Sequence, residues 1–331
     1  MDWSPFEHHL TTRGTEIDQT ATVGLPSFVR YFEHLRWLTM EDPRLGLVDL
    51  IHAGHFFVVR TQVVELLRRV GQSVPLRMTT RFESIGRSTA AVLHECTRTT
   101  DGALVARARV TGVWLGPTRK MVRLPDAFRE FADGQLAALP LEPHPPELDD
   151  HAPLPDPQVV ARPDTHATSF TAPHETVFAP LGVRTGPPAP NDPVIVERRF
   201  EHVHRLIVPP RDLDVFSHVN AATWLLYCED ARHLGAMAGD LGPTAGGAAP
   251  GAPVRCQHPR GWGVRAGWFY QREAVLGDAL DVGVWSIGPR ALGFAFLRAG
   301  AKGDPHHDDH GPLVTVRLDV APGGRAVTEP A

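Results

Sequence analysis

At 331 residues the chain is about twice the length of an ordinary domain, so two domains are expected. Hydrophobic residues make up 42% and charged residues 21%, which supplies a sizeable core and excludes a wholly disordered or fibrous chain. A formal net charge of -5 gives no electrostatic reason to expect nucleic acid or an anionic membrane as partner.

The opening MDWSPFEHHL has neither the basic start nor the apolar run of a signal peptide. No segment approaches the roughly 18 uninterrupted apolar residues that a membrane span needs. Cys96, Cys228 and Cys256 lie far apart with no CxxC pair, which argues against a disulfide framework or a cysteine-rich zinc site. Together these features predict a cytoplasmic protein with neither a metal nor a cofactor.

Leu25, Phe28, Val29, Phe32 and Leu35 recur at helical spacing, and Pro26 suits the first turn of that helix. The period then changes to that of strands, over Phe56–Val70, Val74–Ser84, Ser88–Thr99 and Ala103–Leu115, with Gly71-Gln72 and Asp101-Gly102 as turn signals. From Pro140 to Pro193, 14 of 54 residues are proline. Lost amide donors and a fixed φ keep this stretch from forming continuous helix or sheet, so it divides the chain into an N-terminal part, 1–139, and a C-terminal part, 194–331.

The second part repeats the first. At an offset of 196, TEIDQTATVGLPSFVRYFEHLR (Thr15–Arg36) stands over RDLDVFSHVNAATWLLYCEDAR (Arg211–Arg232), with Asp18/Asp214, Val23/Val219, Tyr31/Tyr227, Glu33/Glu229 and Arg36/Arg232 identical. Ala221, Trp224, Leu225, Cys228 and Ala231 form the second helical stripe, behind Asn220 as a natural N-cap. Strands follow over Gly263–Val275, Ala279–Ile287, Ala291–Gly300 and Leu313–Val320. A short strand, a long helix and an antiparallel meander make an α+β unit, and it occurs twice.

A helix entered through Asp-x-x-x-His-Val-Asn and followed by such a meander resembles the hotdog fold, a curved antiparallel sheet wrapped around one helix. Asp212–Arg232 resembles the signature of hotdog acyl thioesterases, above all the plant-type acyl-carrier-protein thioesterases, which join two hotdogs in tandem. Phe269-Tyr270-Gln271-Arg272-Glu273 is similar to the Tyr-x-Arg-Glu strand of that family. The resemblance implies an acyl thioesterase acting on an acyl-carrier-protein or coenzyme A thioester, with Asp214, His218 and Glu273 as catalytic groups. Phe216 stands where the family has an asparagine, and Gly239–Gly261 lengthens the path from histidine to glutamate.

Thioester hydrolysis needs an activated water, a place for the oxyanion and a dry acyl pocket. The expected base is Glu273 or Asp214, with His218 orienting the water or protonating the leaving thiolate. The helix start at Asn220, Ala221 and Ala222 is expected to offer amide donors to the thioester oxygen, and Trp224 to line the acyl site. The N-terminal copy keeps Asp18 but has Thr22 and Leu67 at the other two catalytic positions, so it is expected to serve as a partner fused in cis, a pseudo-dimer within one chain. Arg60, Arg265 and Arg272 would favour a phosphopantetheine carrier if they converge.

Glu33 with Arg36, and Glu229 with Arg232, are expected to be structural ion pairs one helical turn apart. Asp304–His310 has metal-ligand residue types but reads as a single hairpin loop, and Cys256-Gln-His258 lacks a base. Two rival functions remain at this level: a non-catalytic acyl-thioester-binding scaffold and an enoyl-thioester hydratase.

Overall fold

The computed structural model describes residues 2–18, 21–139, 200–214, 217–238, 241, 261–288, 291–299 and 312–322. The proline-rich divider at 140–193, Phe216, most of the Gly239–Gly261 loop, Cys256–His258 and Asp304–His310 therefore lie outside the described residues.

The apolar stripe of the first part folds as α1, Leu25–Glu41, and its five predicted stripe residues are all buried. Around it run β1 (Phe6–Thr11), β2 (Phe56–Leu66), β3 (Pro75–Ile85), β4 (Thr89–Arg98) and β5 (Leu104–Leu115). Two further helices, the short α2 (Val48–His52) and α3 (Asp126–Ala138), close the first part. The second part supplies β6 (His202–Ile207), α4 (Ala221–Ala238), β7 (Gly261–Tyr270), β8 (Ala279–Gly288), β9 (Ala291–Arg298) and β10 (Val314–Pro322). Trp224, Leu225, Cys228 and Ala231 of the second stripe are buried, while Ala221 is only half-buried.

The ten strands of the described residues form one antiparallel sheet in the order β1-β3-β4-β5-β2-β7-β10-β9-β8-β6. The order reads the same from either end, with β2 and β7 paired at the centre from Thr61↔Phe269 to Glu65↔Arg265. That seam puts α1 against α4, and side chains of both helices share one continuous apolar core. A second core, around Phe82, Trp114, Phe128 and Phe131, lies beneath α3 in the first part alone.

The repeat extends to individual hydrogen bonds. Ile17 bridges Val23 and Leu213 bridges Val219, closing the same turn before each helix. Ala21 and Ser217, again 196 apart, both take positive φ, at 60° and 63°. Tyr31 donates to the Glu16 carboxylate and Tyr227 to that of Asp212, tying each helix to its own turn.

Past the helices the offset changes. Leu67 and Arg68 both donate to Val105 O, and Gln271 and Arg272 both donate to Leu313 O, which pairs residues 204 apart. Val23 donates to Val70 O and Val219 to Ala274 O in the same register. Arg69, not Leu67, therefore occupies the position of Glu273. The eight-residue difference arises in the longer connection between α4 and β7. The strands expected to reach Val70 and Val275 end at Leu66 and Tyr270, so Glu273 sits on the segment leaving β7 rather than on the strand. No helix of the described residues is long and apolar enough to cross a membrane.

Candidate active site

The turn before α4 folds back on itself. Asp214 N–H donates to His218 O at 2.8 Å, and Asp214 Oδ1 accepts from His218 N–H at 3.1 Å. Ser217 takes the left-handed conformation that lets the chain reverse within this turn. The carboxylate thus fixes the backbone that presents the His218 ring.

His218 Nε2 lies 3.0 Å from Glu273 Oε2. A carboxylate oxygen only accepts, so this contact needs a hydrogen on Nε2, whereas a guanidinium only donates, so the contact with Arg119 needs Nε2 to accept. The same Oε2 takes a second donor, Nη1 of Arg119, at 2.6 Å, and Arg119 Nη2 approaches His218 Nε2 at 3.3 Å. Arg119 comes from the other half, on the tight turn after β5, where Leu115 bridges Met121 and Arg119 has φ 58°. Sequence reading had no signal for it: Gly-Pro-Thr-Arg-Lys reads as an ordinary turn, and 154 residues separate Arg119 from Glu273.

Asp214, His218 and Glu273 all line a cavity of about 670 Å³, within the range of roughly 300–1,000 Å³ usual for small-molecule sites. Ala221 and Trp224 line it too. Its apolar wall comes largely from the first half, including Phe56, Phe57, Phe82 and Phe128. Trp224 is held edge-on against Phe296, ring centroids 4.7 Å apart. Arg60 and Arg272 also border the cavity, whereas Arg265 points to Asp319 at 3.9 Å, so the expected patch contains two of its three arginines and gains Arg119.

The helix start is more specific than expected. Asn220 caps α4, its Oδ1 accepting from Ala222 N–H at 2.8 Å, and its own N–H donates to Asp212 O. Thr223 N–H donates to Asn220 O. Ala222 is buried in the core and its amide is spent on the cap, so the donor role expected there falls to Ala221 N–H, which has no partner among the described residues. The Asn220 side chain is doubly engaged, because its Nδ2 also donates to Glu33 Oε1 of α1 at 2.6 Å.

Glu33, Arg36 and Tyr270 form a polar group on the cavity wall. Burial raises the Glu33 carboxyl, an effect opposed by the Arg36 charge and the Asn220 hydrogen bond. Burial also raises the Tyr270 phenol and lowers the Arg36 guanidinium. Of the two expected helical ion pairs, Glu229–Arg232 forms at 2.6 Å, whereas Glu33 is bonded to Asn220 instead. At the first half's equivalents of Asp214, His218 and Glu273 stand Asp18, Thr22 and Arg69, and no histidine–carboxylate pair can form from these residues. Among the described residues no group of three or more histidine, cysteine, aspartate or glutamate side chains has the arrangement of a metal site.

One helix packed on a curved antiparallel meander, with a polar turn at its start, decides the fold, and comparison with known proteins agrees. Residues 13–132 match the thioesterase-like superfamily. The described residues have the hotdog fold. Over 97% of its length the chain superposes on an acyl-ACP thioesterase from Bacteroides thetaiotaomicron, covering 100% of that chain with a TM-score of 0.60 at 13% identity. A 12:0-ACP thioesterase from Umbellularia californica gives a TM-score of 0.57 at 12% identity, covering 96% of this chain and 97% of that one. No curated protein sequence matches the chain. In this hotdog protein the thioesterase-like match falls on the half that lacks the His218–Glu273 pair.

Proposed function

We propose that the protein is a tandem-hotdog acyl thioesterase, with units at 1–139 and 194–331 joined by the 140–193 segment. The reaction centre lies in the second unit and the acyl chain in the first. The observation that carries this reading is the His218–Glu273 pair at the wall of a cavity built mainly from the other half. The match of residues 13–132 to the thioesterase-like superfamily supports it, as does a likeness to acyl-ACP thioesterases over nearly the whole chain.

In this mechanism Glu273 holds the His218 ring, and Nδ1 takes a proton from water. Glu273 Oε2 is engaged by both Arg119 and His218, so its place in the mechanism is to hold the ring. The water oxygen bonds to the thioester carbon while the carbonyl electron pair moves onto oxygen, facing Ala221 N–H and the start of α4. Collapse breaks the C–S bond. The sulfur leaves as a thiolate and takes the proton from His218, so the products are a carboxylic acid and a thiol. Arg60, Arg119 and Arg272 beside the cavity suit the phosphates of a pantetheine carrier, whether coenzyme A or a carrier protein.

Thiol release from a panel of acyl-coenzyme A and acyl-carrier-protein thioesters tests the reading. His218→Ala and Glu273→Gln should each lower kcat/KM by about 100-fold or more, and Asp214→Ala should lower it by loosening the turn. Failure of the native protein to cleave any member, or variants that match the native rate, would refute it. Saturable binding without turnover would instead establish an acyl-binding protein.

A further inference from the structure

Duplication supplies an internal control for one pair of residues. In α4, Arg232 is 2% exposed and closes on Glu229 of its own helix, at 2.8 Å from Nε and 2.6 Å from Nη2. The equivalent pair in α1 is open. Glu33 Oε1 accepts from Asn220, and no hydrogen bond joins Glu33 to Arg36 among the described residues. Arg36 borders the cavity, and its Nη1 is shielded from water with no hydrogen-bond partner. The Tyr270 hydroxyl, on the same wall, is likewise shielded and unpartnered. His94 adds to this side: it is fully buried, bonds Thr80 Oγ1 at 2.7 Å, and leaves its Nε2 unsatisfied.

Buried donors without acceptors are costly and uncommon, so two on one cavity wall call for an acceptor from the ligand. The charge of that acceptor follows from Glu33, whose carboxylate sits within electrostatic reach of both Arg36 and Tyr270. It already counters the guanidinium, so a second carboxylate would be repelled while a neutral oxygen would not. Position follows as well. Glu33 is bonded to the cap of α4, next to the Ala221 amide, and Tyr270 lies three residues before Glu273. The acceptor therefore belongs near the thioester.

We propose that the acyl group carries a neutral hydrogen-bond-accepting oxygen, a ketone or a hydroxyl, on one of the first carbons beyond the thioester carbonyl. Arg36 and Tyr270 hold that oxygen, and the hydrocarbon remainder lies among Phe57, Phe82 and Phe128. The inference rests on the thioesterase reading and narrows its substrate class.

The test compares kcat/KM for β-oxo, β-hydroxy and unsubstituted acyl-coenzyme A thioesters of matched chain length, in native protein, Arg36→Met and Tyr270→Phe. The ratio of oxygenated to plain substrate is the readout, because it is insensitive to the fraction of variant that folds. Native protein should favour an oxygenated member by about 10-fold or more, with Arg36→Met cutting the ratio by about 10- to 100-fold and Tyr270→Phe by about fivefold. The β-oxo and β-hydroxy arms distinguish the two sources of the oxygen. A native preference for plain chains, or variants that leave the ratio unchanged, overturns the inference while the hydrolase stands. Should no thioester be cleaved, calorimetric titration of thioether analogues with and without the oxygen decides. Preference for the oxygenated analogue then retains the inference for a binding protein, and equal affinity removes it.

Discussion

Ala90→Leu tests where the acyl chain lies. Ala90 is on β4, buried, and borders the cavity beside Phe82 and Phe128, in the core cluster confined to the first half. Leucine adds three carbons at the end of the cavity lined by that first-half cluster. If the acyl chain fills that end, each added carbon displaces about one methylene. A buried methylene is worth about 0.8 kcal/mol, so three amount to about 2.4 kcal/mol, or about 60-fold in kcat/KM. The assay is thiol release across a series of acyl chain lengths. Substrates long enough to reach Ala90 should lose about that factor, shorter ones much less, and the optimum should move down by about three carbons. A uniform loss at every length, or an unmoved optimum, would refute the placement, and a thermal melt on the same sample separates either from misfolding. Overpacking costs about 1–3 kcal/mol where no space exists; the open cavity should hold the stability loss below that.

Arg119→Gln separates function from stability at the mouth. The Arg119–Glu273 pair has side chains 56% and 36% exposed, so breaking it should cost at most about 1 kcal/mol in a denaturant melt. The variant should nevertheless lower kcat/KM for acyl-coenzyme A and weaken its salt dependence; an unchanged salt slope would remove Arg119 from carrier binding. Asn220→Ala should destabilise by about 1–2 kcal/mol, since it removes the α4 cap and the only hydrogen-bond donor to Glu33 among the described residues; a loss within error of zero in chemical denaturation would contradict this. His94 predicts a pH dependence. Burial, reinforced by the Arg36 charge, keeps its imidazole neutral well below 6.5, whereas the unfolded chain binds a proton near that value. Its contribution is complete above about pH 6.5 and is lost as pH falls below it, by about 1.4 kcal/mol per unit until the depressed folded value is reached. Between about pH 7.5 and 5.5 the native chain should lose about 1.4 kcal/mol more than His94→Gln; equal losses would mean that His94 titrates normally.

The local structure of each half was legible in the sequence because its signals are local. Five apolar residues at helical spacing gave each helix, a change of period gave the meander, and the 196-residue offset gave the duplication. Hydrogen bonds then repeat that offset residue by residue through the turn and the tyrosine of each helix. Past the helix the fixed offset fails, because the chain from α4 to β7 is eight residues longer than its counterpart. Matching the turn signals Gly71-Gln72 and Gly277-Asp278, 206 apart, put Leu67 opposite Glu273, where the backbone hydrogen bonds put Arg69.

The composition of the site was settled by contacts that no local pattern encodes. Joining β2 to β7 sets α1 against α4, which lets Asn220 draw Glu33 away from Arg36 across 187 residues of sequence. It also brings Arg119 to Glu273 and lays the cavity chiefly in the half without the histidine. Glu33-Arg36 and Glu229-Arg232 have the same residues at the same spacing, and the packing of the helices leaves one a closed ion pair while the glutamate of the other bonds Asn220. Sequence determined which elements form and that they form twice, since helix periodicity, capping and turn chemistry act within a few residues. Tertiary structure decided which copy holds the His218–Glu273 pair and which supplies most of the cavity wall, because burial and pairing between distant side chains exist only once the two halves share one sheet.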